Sequence, residues 1–293
     1  MLLPLAATAA AAIAGCPAFP FSTDQRVDRL PVAPDSAAIV RSIGIGGAIK
    51  ADFGSGLWEG GPIGIPYDVV GRRTPRTRVR FDYAGESDRV RYPIPRGVHV
   101  EGGANADGDR HALLLDRSRC RLYELFALRR EDDGWHAGSG ATWNLRRPRL
   151  RPSGWTSADA AGLPILPLLA RHPEVRSGRI RHALRMTVSQ TRRAFAWPAR
   201  HFASDAGDAA LPRMGERLRL RATVDISGLP RQARVVARAM REYGLIVADN
   251  GSDWFVSGAP SPGWDNDQLR ALGTLRGSDF EVVRVSRPAR GRR

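Results

Sequence analysis

Glycine and proline recur along the whole chain, and their spacing limits what it can fold into. The 293 residues include 31 Gly and 21 Pro, spread through the sequence and not clustered. Because both residues interrupt regular structure, this pattern predicts many short elements joined by turns rather than a few long helices. The hydrophobic content of 42% is enough for a substantial core, which excludes a wholly disordered chain.

Short runs of strand-forming residues fill most of the sequence. Strands are predicted over 63–70, 78–83, 111–116, 121–128, 135–145, 179–188, 194–198, 217–226 and 280–285. Helices are predicted over 35–44, 230–243 and 265–272, with short helical pieces between 157 and 175. The segments 245–248 and 254–257 flank an Asn-Gly pair, which predicts a hairpin.

These elements predict an α+β, β-rich fold. We expect a single antiparallel sheet sandwich or a jelly-roll-like core carrying a few short helices. One globular domain over 16–286 would be followed by a basic tail at 287–293, since no linker is long enough to separate two domains.

The amino terminus is typical of a secretion signal. Residues 2–14 are small or apolar and carry no charge, and the run is shorter than the roughly 20 residues that span a bilayer. Residues 1–15 are therefore predicted to be a signal peptide, although its usual basic start is missing. Two processing sites overlap: 12–14 (AIA) fits soluble release, whereas 13–16 (IAGC) resembles a lipobox that would lipidate Cys16. The protein is expected to be secreted or periplasmic, and anchored to the envelope in the second case.

The chain has two cysteines, Cys16 and Cys120. An exported protein with two cysteines most simply pairs them. A Cys16–Cys120 disulfide is therefore favoured over lipidation of Cys16, which would leave Cys120 as an odd thiol.

The formal charge of +15 raises the question of a nucleic-acid partner. Lys50 is the only lysine, so 44 of the 45 basic residues are arginine, a bias that a GC-rich genome also produces. No helix-turn-helix, RNP-type or zinc-finger spacing is present, and the secretion signal opposes such a role. We expect a polysaccharide or cell-envelope glycan as partner, with no nucleic acid and no membrane-spanning segment.

Several motifs resemble a family of secreted, functionally uncharacterised bacterial proteins. The clearest are 154–165 (GWTSADAAGLPI), 197–201 (WPARH) and 248–252 (ADNGS). The resemblance implies a single exported domain, and some members carry appended modules of the kind that bind carbohydrate. Lys50 departs from it, because a histidine is expected at that position.

Two polar residues stand out on predicted strands. His182 shares a face with Ile180, Leu184 and Met186, so it is expected to point inward, either as a catalytic group or as a hydrogen-bonded core histidine. Both faces of the strand around Glu124 are apolar, which would raise the pKa of its carboxyl group as a general acid requires, unless an arginine pairs with it.

Other candidates lie in loops. His201 ends the WPARH motif, where a loop can hold it at the rim of a cleft, and Asp159 is a catalytic candidate or a helix cap. The remaining candidates are assigned to substrate binding: Arg185, Trp155, Trp197, Asp249 and Asn250. Asp249 and Asn250 are equally typical of a plain turn. Asp107, Asp109 and His111 alternate as metal ligands would, but no supporting His or Cys spacing exists, so no metal is predicted.

The absence of several motifs narrows the function. The sequence contains no G-x-S-x-G, Walker loop, H-E-x-x-H or C-x-x-C, which argues against common serine hydrolases, nucleotide enzymes and zinc proteases. The leading hypothesis is an extracellular carbohydrate-active enzyme, a glycoside hydrolase or polysaccharide lyase, without cofactor. Glu124, Asp159, His182 and His201 are its acid/base candidates. The alternative is a non-enzymatic secreted or envelope-anchored protein that binds glycan or is structural.

Overall fold

The computed structural model describes residues 12–17, 24–147 and 149–285. Most of the predicted signal peptide and the whole basic tail lie outside these residues. The α-helices in the described part of the chain are α1 (Ser36–Ile43), α2 (His172–Arg176), α3 (Arg231–Glu242) and α4 (Asn266–Arg270). Short 3-10 helices cover Ala84–Glu86, Leu166–Leu168, Ala271–Thr274 and Gly277–Asp279.

The strands are short, as the glycine and proline content predicts. The first nine are β1 (Ala12–Ile13), β2 (Cys16–Pro17), β3 (Lys50–Asp52), β4 (Leu57–Trp58), β5 (Gly61–Pro62), β6 (Tyr67–Val70), β7 (Val79–Phe81), β8 (Ala112–Asp116) and β9 (Arg121–Phe126). The others are β10 (Arg129–Glu131), β11 (Gly134–Ala137), β12 (Ser139–Asn144), β13 (Leu184–Val188), β14 (Arg217–Leu220), β15 (Leu245–Asn250), β16 (Phe255–Ser257) and β17 (Phe280–Val283). The predicted β-rich α+β class is confirmed.

Two sheets form the framework. A six-stranded sheet has the order β17-β14-β15-β13-β16-β3, and a four-stranded sheet has the order β12-β9-β8-β6. The expectation of a purely antiparallel sheet is wrong, because β13 is parallel to β15, β16 to β3 and β6 to β8. The long connection from β13 to β15 carries α3, and such a crossover is what brings two strands into parallel alignment. The predicted sandwich or jelly roll is not confirmed.

The predicted hairpin around Asn250 is also wrong. β15 and β16 do not pair with each other, because β13 lies between them and bonds to both. The turn crosses the end of β13: Gly251 N donates to Val188 O at 2.9 Å and Ser189 N donates to Asp253 Oδ1 at 2.7 Å. A predicted strand at 194–198 is reduced to a single bridge between Phe195 and Met214.

The core divides into apolar clusters that follow the two sheets. The largest includes buried apolar residues of α1, α3 and the six-stranded sheet. A second covers one side of the four-stranded sheet and contains the Cys16–Cys120 disulfide, with 5.4 Å between the Cα atoms. The predicted disulfide is thus confirmed. Ile13 is buried in the same cluster.

No helix among the described residues is both long and apolar enough to cross a bilayer.

Candidate functional site

A cavity of about 410 Å³ collects four of the predicted site residues. Asp249 and Asn250, at the end of β15, reach it from the six-stranded sheet, while Asp159 and His201 reach it from loops. The four-stranded sheet contributes residues of β9 and β12. The remaining lining residues are Tyr83, Glu86, Asp109, Phe126, Ser139, Thr156, Ser157, Ala158, Ala160 and Ala203.

Arg185 on β13 forms the buried base of this site. Its Nε and Nη2 donate to Asp159 at 3.0 and 2.9 Å, Nη2 also donates to Asp249 at 3.1 Å, and Nη1 donates to Ser257 Oγ at 2.8 Å. Four of the five N–H donors of the guanidinium are therefore engaged. This geometry indicates that Arg185 holds two carboxylates in place, and it does not favour the predicted contact of Arg185 with a substrate.

The loop that carries Asp159 is fixed by its own side chains. Ser157 Oγ accepts a hydrogen bond from Asp159 N at 2.9 Å and donates to Leu163 O at 2.6 Å. Gly162 adopts φ +67°, and a Cβ there would lie 2.5 Å from Trp155 O, so only glycine fits this tight turn. The GWTSADAAG stretch thus folds into a compact loop that aims the Asp159 carboxylate at Arg185.

Asp249 is the carboxyl group of the site that holds a proton near neutral pH. Burial, reinforced by the negative charge of Asp159 and only partly offset by Arg185, raises the pKa of Asp249 to about 7. Its side chain is 19% exposed and faces the cavity. A partly accessible carboxyl with such a pKa has the property that a general acid needs.

His201 supplies an imidazole ring to the cavity. Its Nδ1 donates to Ala160 O at 2.9 Å, which leaves Nε2 as the acceptor nitrogen, 3.9 Å from Glu86 Oε2. Glu86 is itself oriented by Thr156 N, which donates to Oε2 at 2.8 Å. The hydrogen bond of Nδ1 to Ala160 O fixes the ring so that Nε2 is the nitrogen turned away from that carbonyl.

A histidine–carboxylate pair behind the cavity wall was not predicted. His111 Nδ1 donates to Glu101 Oε2 at 2.5 Å, and Nε2 donates to Ala158 O at 2.9 Å. Burial alone would lower the pKa of His111, but the charge and hydrogen bond of Glu101 raise it to about 9. The ligand atoms of His111, Glu101 and Asp109 lie within 4.8 Å of one another. Both nitrogens of His111 serve as donors, so neither has a lone pair free for a metal, and the three side chains form an ionic cluster. Asp107 is exposed and does not belong to this cluster.

A polar row across the six-stranded sheet was also missed. Ser257 on β16 bonds to Arg185, and its neighbour in register on β3 is Asp52. The sequence gives no sign of this row, because these strands are far apart in the chain and the pairing of β16 with β3 is parallel. Sequence spacing identifies faces within one strand and does not identify neighbours across strands.

Glu124 lies away from the cavity, completely buried in β9. It accepts hydrogen bonds from Ile165 N at 2.9 Å, Leu166 N at 2.9 Å and Trp143 Nε1 at 2.9 Å. Burial raises its pKa to about 7 against these bonds, which favour the ionised form. The predicted rise in the pKa of Glu124 is present. Its carboxylate, however, bonds to the backbone at the start of the 3-10 helix Leu166–Leu168 and to none of the residues that line the cavity.

His182 is buried, as its position in the sequence predicts, but it is not brought to the cavity. Its Nδ1 donates to Ala183 O at 2.7 Å, and Nε2 accepts from Arg171 Nη2 at 3.1 Å. Glu174 Oε2 lies 3.2 Å from Nε2. These contacts satisfy both ring nitrogens inside the structure.

The two predicted tryptophans lie elsewhere. The Trp155 ring packs under the Arg151 guanidinium, with 5.3 Å to the ring centroid. Trp197 lines a separate cavity together with Arg213 and Val283. Neither ring faces the cavity that holds Asp249.

Comparison with known proteins adds no identification: no protein-family model, no curated protein and no solved structure matches this chain.

Proposed function

We propose that this protein is an extracellular carbohydrate-active enzyme of the glycoside-hydrolase class. The observation that carries the proposal is the meeting of Asp249 and His201 in one cavity of about 410 Å³. A carboxyl group with a pKa of about 7 and an imidazole with an accepting nitrogen form an acid/base couple. The volume lies within the range of ligand-binding pockets, roughly 300–1,000 Å³.

In the proposed hydrolysis, Asp249 acts as the general acid and His201 as the general base. The Asp249 carboxyl donates its proton to the glycosidic oxygen while the bond from that oxygen to the anomeric carbon breaks. His201 Nε2 takes a proton from the water whose oxygen forms the new bond to that carbon. Proton exchange with solvent then returns both groups to their starting states. Asp159 acts as a positioning residue, because it holds Arg185 and keeps Asp249 in a negative environment.

The charge of the cavity supports a neutral glycan as substrate. Glu86, Asp109, Asp159 and Asp249 line it, and no arginine or lysine is among the lining residues. A polysaccharide lyase must neutralise the carboxylate of an acidic sugar, and Arg185 is already committed to two aspartates. The rings of Tyr83 and Phe126 offer apolar surface for the C–H faces of a sugar.

Secretion belongs to the same proposal. The uncharged amino-terminal run predicts secretion, and the Cys16–Cys120 disulfide supports an oxidising compartment. The resemblance to secreted bacterial proteins also supports secretion. Lipidation of Cys16 requires the same sulfur atom as the disulfide, so the bridge supports a released protein.

The test is hydrolysis of a panel of neutral and acidic polysaccharides, followed by the release of reducing ends. Asp249→Asn and His201→Ala should each lower the rate by about 10²- to 10⁴-fold on the substrate that is cleaved. His99→Ala, at a 68% exposed side chain that does not line the cavity, is the matched control and should keep full activity. Binding of a glycan without any chain shortening would instead identify a non-enzymatic glycan-binding protein.

A further inference from the structure

A small hairpin beside the site exposes a tryptophan that the mechanism does not use. β4 and β5 are joined by Glu59 at φ +50° and Gly60 at φ +86°, a pair of left-handed residues typical of a two-residue type I′ turn. The side chain of Trp58 is among the most exposed large apolar groups of the described residues, at 71%. Leu57 beside it is 70% exposed.

The hairpin is held tightly against the loop that carries Glu101. A Cβ on Gly61 would lie 2.1 Å from the Gly102 carbonyl, and one on Gly103 would lie 3.1 Å from the Gly61 Cα. Glycine is required for this close approach of the two backbones. The hairpin is therefore packed directly on the loop that follows Glu101.

The contacts continue from this loop to the cavity. Glu101 precedes Gly102, bonds to His111 and lies within 4.8 Å of the Asp109 carboxylate, which lines the cavity. Trp58 pairs in register with Gly61, and residues directly opposite each other in an antiparallel pair share a face. The indole thus projects from the hairpin face that is turned toward the Glu101 loop.

We propose that Trp58 is a sugar-stacking platform, a subsite for the part of a neutral glycan chain that extends out of the cavity. This inference rests on the proposed function, because the ligand is taken to be a glycan only on the ground that the hairpin contacts the loop leading to the proposed site. Exposure of an indole to water is unfavourable in free energy. When the C–H face of a sugar ring stacks on the indole, both apolar surfaces leave the solvent, and no deep pocket is needed. The platform would contribute to the binding of long chains and not to the chemical step.

The experiment measures the affinity of the purified chain for neutral oligosaccharides of two and of six sugar units, from cello-, xylo-, manno- and chito-series. Trp58→Ala should weaken binding of the six-unit ligands roughly two- to tenfold, the effect of one aromatic contact, and leave the two-unit ligands unchanged. Trp58→Tyr should restore most of the loss. Leu57→Ala, which removes a neighbouring exposed apolar group without an aromatic ring, is the matched control and should bind as the unsubstituted protein does.

The outcomes separate the two proposals. If six-unit ligands bind equally well to Trp58→Ala and to the unsubstituted protein, the platform is refuted even where hydrolysis is found. If glycans bind through Trp58 but are not shortened, the platform stands and the hydrolase proposal falls. Loss of binding to anionic lipid vesicles in Trp58→Ala, with glycan affinity unchanged, would assign the indole to a membrane surface and overturn the proposal.

Discussion

Replacement of Arg185 by methionine tests whether this residue organises the site. The Arg185 side chain is 95% buried and pairs with the fully buried Asp159 side chain and with Asp249. Methionine is similar in length but provides no donor, so Arg185→Met leaves a buried carboxylate without its partner. Breaking a buried ion pair in this way lowers the free energy of unfolding by about 3–5 kcal/mol.

The assay is urea denaturation at several pH values. Without Arg185, the folded-state pKa of Asp249 should rise further, because the guanidinium is the nearby positive charge that most strongly opposes the effect of burial. A carboxyl group whose folded-state pKa is raised contributes stability that is present below its unfolded value and is lost as the pH rises. The loss should therefore be largest above pH 7 and shrink toward pH 4. Arg185→Met/Asp159→Asn should regain part of the stability, since it removes the orphaned charge.

Arg193→Met is the matched control. Arg193 is 66% exposed and lies 3.7 Å from Asp205, which is 92% exposed, so its removal should change the free energy of unfolding by less than about 0.5 kcal/mol. A loss below about 1 kcal/mol for Arg185→Met, or a loss that does not depend on pH, would contradict the view that Arg185 is the charge partner of the two buried aspartates.

Three further predictions concern the disulfide, Asp249 and Glu124. Cys16→Ser or Cys120→Ser opens a loop of 104 residues and should lower the free energy of unfolding by about 5 kcal/mol in the chain-entropy model. Reduction of the unsubstituted protein should cause a similar loss, and its mass before reduction should be two hydrogens lower than after. An unchanged stability or an unchanged mass would contradict the bridge. Asp249→Asn should flatten the decline in unfolding free energy between pH 4 and 7, because the raised pKa of Asp249 makes the folded state bind an extra proton there; an unchanged pH profile would refute this. Glu124→Gln replaces one accepting oxygen by an NH2 donor, which must face either Trp143 Nε1 or Leu166 N, and should cost about 1–3 kcal/mol by thermal unfolding. A neutral effect would show that these hydrogen bonds contribute little.

Local patterns predicted the helices well. Asp35 and Gly44 bracket an apolar run that forms α1, and Pro230 and Gly244 bracket α3, because end signals and periodicity act within a few residues of the chain. The hairpin around Asn250 was predicted wrongly for the same reason. Asn250 belongs to β15, and neither Asn250 nor Gly251 adopts the positive φ of an Asn-Gly hairpin turn. Instead β13 lies between the two strands, and no residue near 250 signals that pairing.

The site was predictable only where its residues belong to distinctive loops. His201 and Asp159 stand out in the sequence because they are polar residues within motifs rich in Trp, Pro and Gly. Glu101 lies in a glycine-rich stretch without periodicity, and Ser257 ends a short strand. Their importance depends on contacts with His111 and Arg185, which are distant in sequence, and single-chain patterns carry no information on such contacts.

The arrangement of the site explains why one of its two aspartates is available for proton transfer. Asp159 receives two hydrogen bonds from Arg185, whereas Asp249 receives one at 3.1 Å. A single guanidinium cannot neutralise two carboxylates in a buried space, so the second negative charge is costly and the more weakly bonded group takes up a proton. Asp249 is also the one whose side chain is partly exposed to the cavity. Unequal sharing of Arg185 thus places the exchangeable proton on the carboxyl group that a substrate can reach, and removal of Asp159 should lower the pKa of Asp249 and shift the pH dependence of hydrolysis to lower pH.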